Sequence, residues 1–162
     1  NLIQKISIKP SIYPELVAIN HWGSIYMYSQ TYNAIFLFDR LKININPLID
    51  FSRTRLNSHC FIDMSSNNAG DLALLNCENE VIIFGQNGKF KSSFFSDLPK
   101  PIHIIPVNDD WLLFNADGKV TTVKTRIQYS VPKSSIPVLD VESMGNFIAI
   151  LTRDHISILD VK

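Results

Sequence analysis

The sequence predicts an all-β fold made of small antiparallel sheets that repeat along the chain. Runs of four to six β-branched, aromatic or aliphatic residues alternate with short polar turns. No stretch keeps apolar residues at helical spacing over three turns. A repeat is also present: PIHIIPVNDDWLLFNADGKVTTV at 101–123 aligns without a gap with PVLDVESMGNFIAILTRDHISIL, 137 − 101 = 36 positions later. Short strands in a repeating order are therefore the basis of the predicted fold.

Four predicted β-hairpins carry this repeat, each with a polar start, an apolar strand, a tight polar turn and a second apolar strand. The steps between their starts are 71 − 24 = 47, 110 − 71 = 39 and 146 − 110 = 36 residues. The extra length of the first step falls in Leu41 to Ser58, which predicts a longer outer strand and loop. The repeat also makes Phe84, Val123 and Leu159 equivalent and predicts that they are buried between sheets.

One more strand precedes each hairpin, and a more polar strand such as FKSSFF at 90–95 or IQYSV at 127–131 follows. Four strands per 36 to 47 residues is the period of a propeller blade. The sequence therefore predicts a single β-propeller segment of about four blades, each a four-stranded antiparallel sheet; a β-sandwich is the alternative. The approximate units are an outer strand of a preceding or closing blade at 1–9, blades at 14–50, 59–96 and 101–131, and an incomplete blade at 137–162.

Some positions resemble WD40 repeats. Two hairpins end in LFD at 37–39 and ILD at 158–160, with an Asp at the position where WD40 repeats end their third strand. His59 precedes the strand CFIDM and is placed like the His at the start of WD40 blades. The chain has no Trp-Asp dipeptide and no Gly-His before a blade, so it resembles a degenerate WD40-like propeller over most of its length. That resemblance implies a protein-interaction platform without catalysis.

The balance of charged residues indicates which classes of partner the chain can bind. Lys plus Arg and Asp plus Glu are 15 each, so the chain lacks the diffuse positive field of non-specific nucleic-acid binders, and nucleic acid is not the expected partner. No apolar run reaches the length of a membrane span. No P-loop, GxGxxG or Gly-x-Ser-x-Gly motif occurs. We expect other protein subunits as partners, with no catalytic residues, no cofactor and no small-molecule substrate.

Cysteine usage is sparse. Cys60 and Cys77 are too few and too far apart in sequence to predict a disulfide framework or a zinc site, and no Asn-x-Ser/Thr acceptor occurs. This pattern favours a reducing compartment, cytoplasmic or nuclear. The four histidines lie in different units without metal-ligand spacing, so no metal site is predicted. His103, inside an apolar strand, is predicted to be hydrogen-bonded in the core or between blades.

Basic residues interleaved with aromatic ones near the 41–58 insertion could bind an acidic partner or a phosphate backbone; the alternative is a solvated loop. Trp22, like Tyr13, is predicted in a connection, as an interface anchor or as a plug between blades. The candidate partner-binding residues are Arg40, Lys42, Arg53, Arg55 and Trp22.

Repetition without catalytic signatures predicts a non-enzymatic scaffold, the propeller part of a larger multi-subunit assembly of the trafficking, checkpoint or repair type. The alternative is a ligand-binding, sugar-binding or enzymatic propeller with a site at the central channel, formed by polar hairpin starts. Because residues 2–16 resemble 127–139, we expect an N-terminal outer strand that finishes a blade of a longer parent protein; closing a four-bladed ring is the alternative. The polar hairpin starts are Ser24, Asp71, Asp110 and Asn146.

Overall fold

The structure is a computed structural model that describes residues 12–39, 42–43, 46–54, 56 and 60–160. Within these residues the chain is all-β, and its strands form four antiparallel sheets arranged as a four-bladed β-propeller. None of the helical segments in this part of the chain has the length and apolar character needed to cross a membrane. The predicted fold class is confirmed.

The first two sheets occupy the N-terminal half. Their strands are β1 (Leu16–Ile19), β2 (Ile25–Ser29), β3 (Ala34–Asp39), β4 (Lys42–Ile43), β5 (Ile49–Asp50), β6 (Phe61–Ser66), β7 (Leu72–Asn76), β8 (Glu80–Phe84) and β9 (Phe90–Phe95). In sheet 1 the strands pair in the order β1-β2-β3-β4, and β5 also pairs with β3. In sheet 2 the order is β6-β7-β8-β9.

The last two sheets follow the same plan. Sheet 3 has four strands, whereas sheet 4 has three within the described residues. Two short 3-10 turns, at Phe51–Arg53 and Lys133–Ser135, lie in the connections between sheets 1 and 2 and between sheets 3 and 4. The strands are β10 (Pro101–Val107), β11 (Asp110–Asn115), β12 (Lys119–Thr122), β13 (Gln128–Ser130), β14 (Asp140–Met144), β15 (Phe147–Leu151) and β16 (Ile156–Asp160).

The sheets pack face to face, and their first strands β1, β6, β10 and β14 follow one another side by side. Strand β7 is buried along its whole length because its LALLN sequence is apolar towards both neighbouring sheets, whereas the FKSSFF sequence of β9 alternates and is largely exposed. Separate apolar cores lie between successive sheets. Phe84 and Val123 are buried in two of these cores, as predicted, and Leu159 is half-buried in the third.

The register of sheet 4 differs by one residue from the gap-free sequence repeat. The sequence repeat matches Phe114 with Ile150. In the sheets, however, Phe114 pairs with His103 of β10, and the residue in the corresponding place of sheet 4 is Leu151, which pairs with Asp140 of β14. A one-residue shift moves every side chain to the other face of a strand. Ile148 and Ile150 therefore pack towards sheet 3. The offset is already present in β14, because the β10–β11 and β14–β15 turns both leave two residues between the paired strand ends, Val107 with Asp110 and Met144 with Phe147.

In its described residues, 42–43, 46–54 and 56, the 41–58 insertion forms two short strands rather than one longer outer strand. Strand β4 pairs with the end of β3 and β5 pairs with its beginning. Pro47, which has no backbone N–H to donate, lies between the two short strands and is incompatible with a continuous ladder. The predicted outer strand is thus divided into two.

The interpretation that Cys60 and Cys77 are too far apart in sequence for a disulfide framework is wrong. Cys60 and Cys77 form a disulfide, with Cα atoms 5.5 Å apart, and the Cys77 amide donates to the Cys60 carbonyl at 2.9 Å. They directly flank the hairpin that pairs Phe61 with Asn76, so pairing of β6 with β7 brings together residues that are distant in sequence. The disulfide also removes the cysteine-based argument for a reducing compartment.

Candidate functional site

A polar cavity of about 600 Å³ opens at the end of the propeller where the first strand of each sheet turns into the second. We call it the turn-end cavity. All four sheets contribute to it, and its lining combines carboxamides and hydroxyls with one carboxylate and the exposed apolar side chains of β1. Representative lining residues are Ile19, Asn20, Asn67, Asn108, Glu142 and Asn146.

Two of the turns around this cavity are built alike. The Asn20 side-chain oxygen accepts from the Ser24 amide at 2.9 Å, and the Asn67 side-chain oxygen accepts from the Asp71 amide at 2.8 Å. In each turn a glycine with positive φ donates its amide to the asparagine carbonyl. This signal is visible in the sequence as NHWGS at 20–24 and NNAGD at 67–71, but it matches no catalytic motif.

Trp22 follows His21, one of the residues that line the turn-end cavity. Its side chain is 48% exposed and its ring centroid is 3.9 Å from that of His21. A Cβ added to Gly70, whose φ is +78°, would lie 2.7 Å from the Trp22 ring, so the glycine allows the two turns to touch. The Tyr26 hydroxyl donates to the Gly70 carbonyl at 3.2 Å, and burial raises the pKa of Tyr26.

A second polar group lies between the inner strands of sheets 2, 3 and 4. The His103 Nε2 donates to the Leu139 carbonyl at 3.0 Å, and its Nδ1 faces the carboxylates of Asp63 at 3.6 Å and Asp140 at 3.8 Å. Burial lowers the pKa of His103, but the hydrogen bond and charge of Asp63, with smaller contributions from Leu139 and Asp140, leave that pKa raised overall. This arrangement confirms the predicted inter-blade role of His103.

Asp63 also accepts the Ile104 amide at 2.7 Å, so its carboxylate joins two inner strands without any help from His103. The three polar residues occupy equivalent positions in the first strands of their sheets once the shift in sheet 4 is included. Each pairs with an apolar residue of the second strand: Asp63 with Leu75, His103 with Phe114, and Asp140 with Leu151. The described residues contain no group of three or more His, Cys, Asp or Glu side chains that could hold a metal ion.

The predicted basic group is only partly described. Arg53 is exposed and forms an ion pair with Asp50 at 3.0 Å. Arg40 and Arg55 lie outside the described residues, and of Lys42 only the backbone in β4 is described. Trp22 lies elsewhere, in the connection between β1 and β2, and its ring contacts that of His21. Tyr13 is exposed in the connection before β1.

Of the four predicted hairpin starts, Asn146 lines the turn-end cavity, whereas the other three make local contacts. The Ser24 hydroxyl donates to Asp39 at 3.1 Å, and Asp71 forms an ion pair with Lys91 at 2.6 Å. Asp110 accepts the Lys124 amide at 2.9 Å. The side chains at these three positions therefore stabilise the ends of their hairpins.

The side of sheet 4 that faces away from sheet 3 carries a group of exposed apolar residues. In the other three sheets the matching side is covered by the next sheet along the chain. We call this surface the sheet 4 outward face. It consists of Met144, Phe147, Leu151, Ile156 and Ile158, which are between 42% and 77% exposed.

Comparison with known proteins places this fold among β-propellers. No protein-family model and no curated protein matches the sequence, so the WD40-like character of the repeats stays a prediction. Similar solved structures include a catalytically inactive variant of virginiamycin B lyase from Staphylococcus aureus with quinupristin, at TM-score 0.62 and 13% identity over 91% of this chain. BBS1N in complex with ARL6DN has TM-score 0.63 and 11% identity over 93%.

A chain from a mitotic checkpoint complex has TM-score 0.63 and 11% identity over 99% of this chain. The present chain corresponds to 52%, 49% and 56% of those three chains, or about half of their length. At such low identity these likenesses show the fold alone. They include both an enzyme and propellers found in protein complexes.

Proposed function

We propose that this chain is a non-enzymatic β-propeller module that binds other proteins within a larger assembly. The observation that carries the proposal is the sheet 4 outward face. Contiguous exposed apolar surface rimmed by polar residues is characteristic of protein-interaction sites, because burying it removes apolar area from water. The BBS1N and mitotic checkpoint structures, both of protein complexes, are consistent with this role.

The intramolecular interfaces indicate what kind of surface fits the sheet 4 outward face. Between sheets 2 and 3, the apolar side of β7 and β8, with Leu75 and Ile83, packs against the apolar side of β11, with Trp111 and Leu113. Sheets packed in this way lie about 10 Å apart with interdigitating side chains. The partner therefore presents a broad apolar surface, with few charges at its centre.

The test is capture of native partners by the full protein and by the double variant Leu151→Lys/Ile158→Lys. Both positions are exposed, so the fold is retained, while two ammonium groups would have to be desolvated on binding. A partner retained by the wild type and by the control Phe90→Lys, but lost from the double variant, supports the proposal. Phe90 is a suitable control because it is 56% exposed on another sheet. Equal retention by the double variant would contradict the proposal.

The turn-end cavity favours a second candidate function, binding of a small polar ligand at the channel. Its carboxamides can both donate and accept hydrogen bonds, as neutral hydroxylated ligands require, and Glu142 adds one negative charge. Thermal-shift measurements with neutral mono- and disaccharides test this candidate. Stabilisation that Asn108→Ala or Glu142→Ala removes would favour it, and the absence of any shift would leave the protein-binding proposal alone.

A further inference from the structure

An exposed disulfide closes the end of the β6–β7 hairpin that lies opposite its turn. Cys60 and Cys77 are both exposed, and their bond joins the two strands just outside the ladder. The ladder ends with the pair of Phe61 and Asn76, and a β-bulge at Ile62 separates this pair from the rest of the hairpin. A bulge disrupts backbone pairing locally. The disulfide therefore stabilises a short strand end that the remaining ladder holds only weakly.

The β7 side of this end is also fixed by hydrogen bonds. Asn76 is buried, and its side-chain oxygen accepts the Glu78 amide at 2.9 Å and the Glu80 amide at 2.8 Å. Its side-chain nitrogen donates to the Glu80 carboxylate at 3.1 Å. These three bonds hold the turn that follows β7, so Cys77 keeps its place in the fold without the disulfide.

The β6 side of the same end is held mainly by an apolar contact with sheet 1. Phe61 is 9% exposed, and its ring centroid lies 4.9 Å from that of Phe51 and 5.1 Å from that of Tyr28. Apolar contacts are non-directional, so they restrain the backbone less than the hydrogen-bonded turn does. Without the disulfide, the segment from Cys60 to the bulge is the side that separates.

We propose that the Cys60–Cys77 disulfide is a reversible modification site, and that its reduction by a dithiol lets the start of β6 separate from β7 while the rest of sheet 2 stays folded. This inference does not depend on the protein-binding proposal. It also goes beyond a change in overall stability, because the separation is local and occurs in the folded protein.

The reaction is thiol–disulfide exchange. A thiolate of the dithiol attacks one cysteine sulfur, so that the bond between Cys60 and Cys77 breaks, a mixed disulfide forms and the other cysteine leaves as a thiolate. The second thiolate of the reductant then displaces the first cysteine. Two electrons and two protons pass from the dithiol to the cysteines, and the dithiol becomes a disulfide. Because both cysteines are exposed, this attack does not require unfolding.

The experiment compares the oxidised full protein with the same protein reduced by dithiothreitol in native buffer. Alkylation followed by intact-mass measurement counts free thiols, and amide exchange followed by NMR reports local separation. The reporter is the Cys77 amide, which donates to the Cys60 carbonyl at 2.9 Å. We expect reduction without denaturant, exchange of this amide that is roughly tenfold faster, and recovery of the slow rate after reoxidation.

Two other amides of sheet 2 are internal controls. The Glu80 amide is held by the buried asparagine side chain, and the Gly70 amide lies in the turn at the opposite end of the hairpin. Both should exchange within about twofold of their rates in the oxidised protein. The Cys60→Ser/Cys77→Ser variant should show the fast rate at position 77 with or without dithiothreitol. Equal acceleration at Glu80 and Gly70, an unchanged rate at Cys77, or reduction that requires denaturant would overturn the proposal.

Discussion

The Nδ1 atom of His103 lies 3.6 Å from Oδ2 of Asp63, which forms an ion pair between the inner strands of sheets 2 and 3 whenever the imidazole is protonated. Asp140 of sheet 4 approaches the same nitrogen at 3.8 Å. The three inner strands thus share one titrating group.

This contact predicts a pH-dependent stability. Burial opposes protonation of His103, yet Asp63 and Asp140 hold its folded-state pKa above the ordinary 6.5. The folded state therefore binds the proton more tightly than the unfolded state, and the added stability is complete below about pH 6.5 and lost as the pH rises through the folded pKa. Thermal melts of His103→Gln and wild type across this range should converge at higher pH. Retention of the wild-type slope by His103→Gln would contradict the assignment, and His21→Gln is the control.

A matched pair of phenylalanines tests the core between sheets 1 and 2. Phe84 is 2% exposed, while Phe90, opposite it on the next strand, is 56% exposed. Removing the buried ring leaves a cavity, so Phe84→Ala should cost about 3–5 kcal/mol of unfolding free energy. Phe90→Ala should cost about 1 kcal/mol or less. Denaturant unfolding measures both, and similar costs for the two variants would show that the packing of this core is misassigned.

The sequence was sufficient to predict the sheets because strand runs and turns are local signals. The hairpin of β7 and β8, for example, is visible as LALLN, a polar turn and EVIIF. The register of sheet 4 could not be predicted from the repeat, since an offset of one residue that is already present in β14 decides which side chains face sheet 3. For the same reason the gap-free repeat does not predict that Phe147 and Leu151 are exposed.

The sites depend on contacts between sheets, and these have little sequence signal. Asp63 and His103 are 40 residues apart, as 103 − 63 = 40, and each looks like an isolated polar residue in an apolar strand. The disulfide has little sequence signal when its cysteines are considered alone, because Cys60 and Cys77 are 17 positions apart. Both cysteines stand just outside one hairpin, and symmetry about the turn at 67–71 could have revealed the pair.

The disulfide predicts a redox-dependent stability. It closes a loop between Cys60 and Cys77, 17 positions apart, which by chain entropy corresponds to about 3 kcal/mol. Denaturant unfolding of the wild type should shift to lower midpoint in the presence of a reductant, and Cys60→Ser/Cys77→Ser should be insensitive to it. Two free thiols in a non-reducing digest of the native protein would show that the bond does not form.

The basic residues of the 41–58 insertion remain a proposed contact surface. Arg53 is highly exposed and paired with Asp50, so Arg53→Glu/Arg55→Glu should change the unfolding free energy by no more than about 1 kcal/mol. If the insertion binds an acidic partner, the same variant should weaken capture of that partner, most clearly at low salt. Unchanged capture of every partner would remove this surface from consideration.

The most direct test of the protein-binding account is hydrogen–deuterium exchange of the protein in its native assembly and after purification. The account predicts slower exchange in the assembly for peptides spanning Phe147–Leu151 and Ile156–Asp160, because a partner covers the sheet 4 outward face. Peptides of the buried strand Leu72–Asn76 should exchange equally slowly in both states. Equal exchange of the sheet 4 peptides in both states, with protection elsewhere on the protein, would contradict the account.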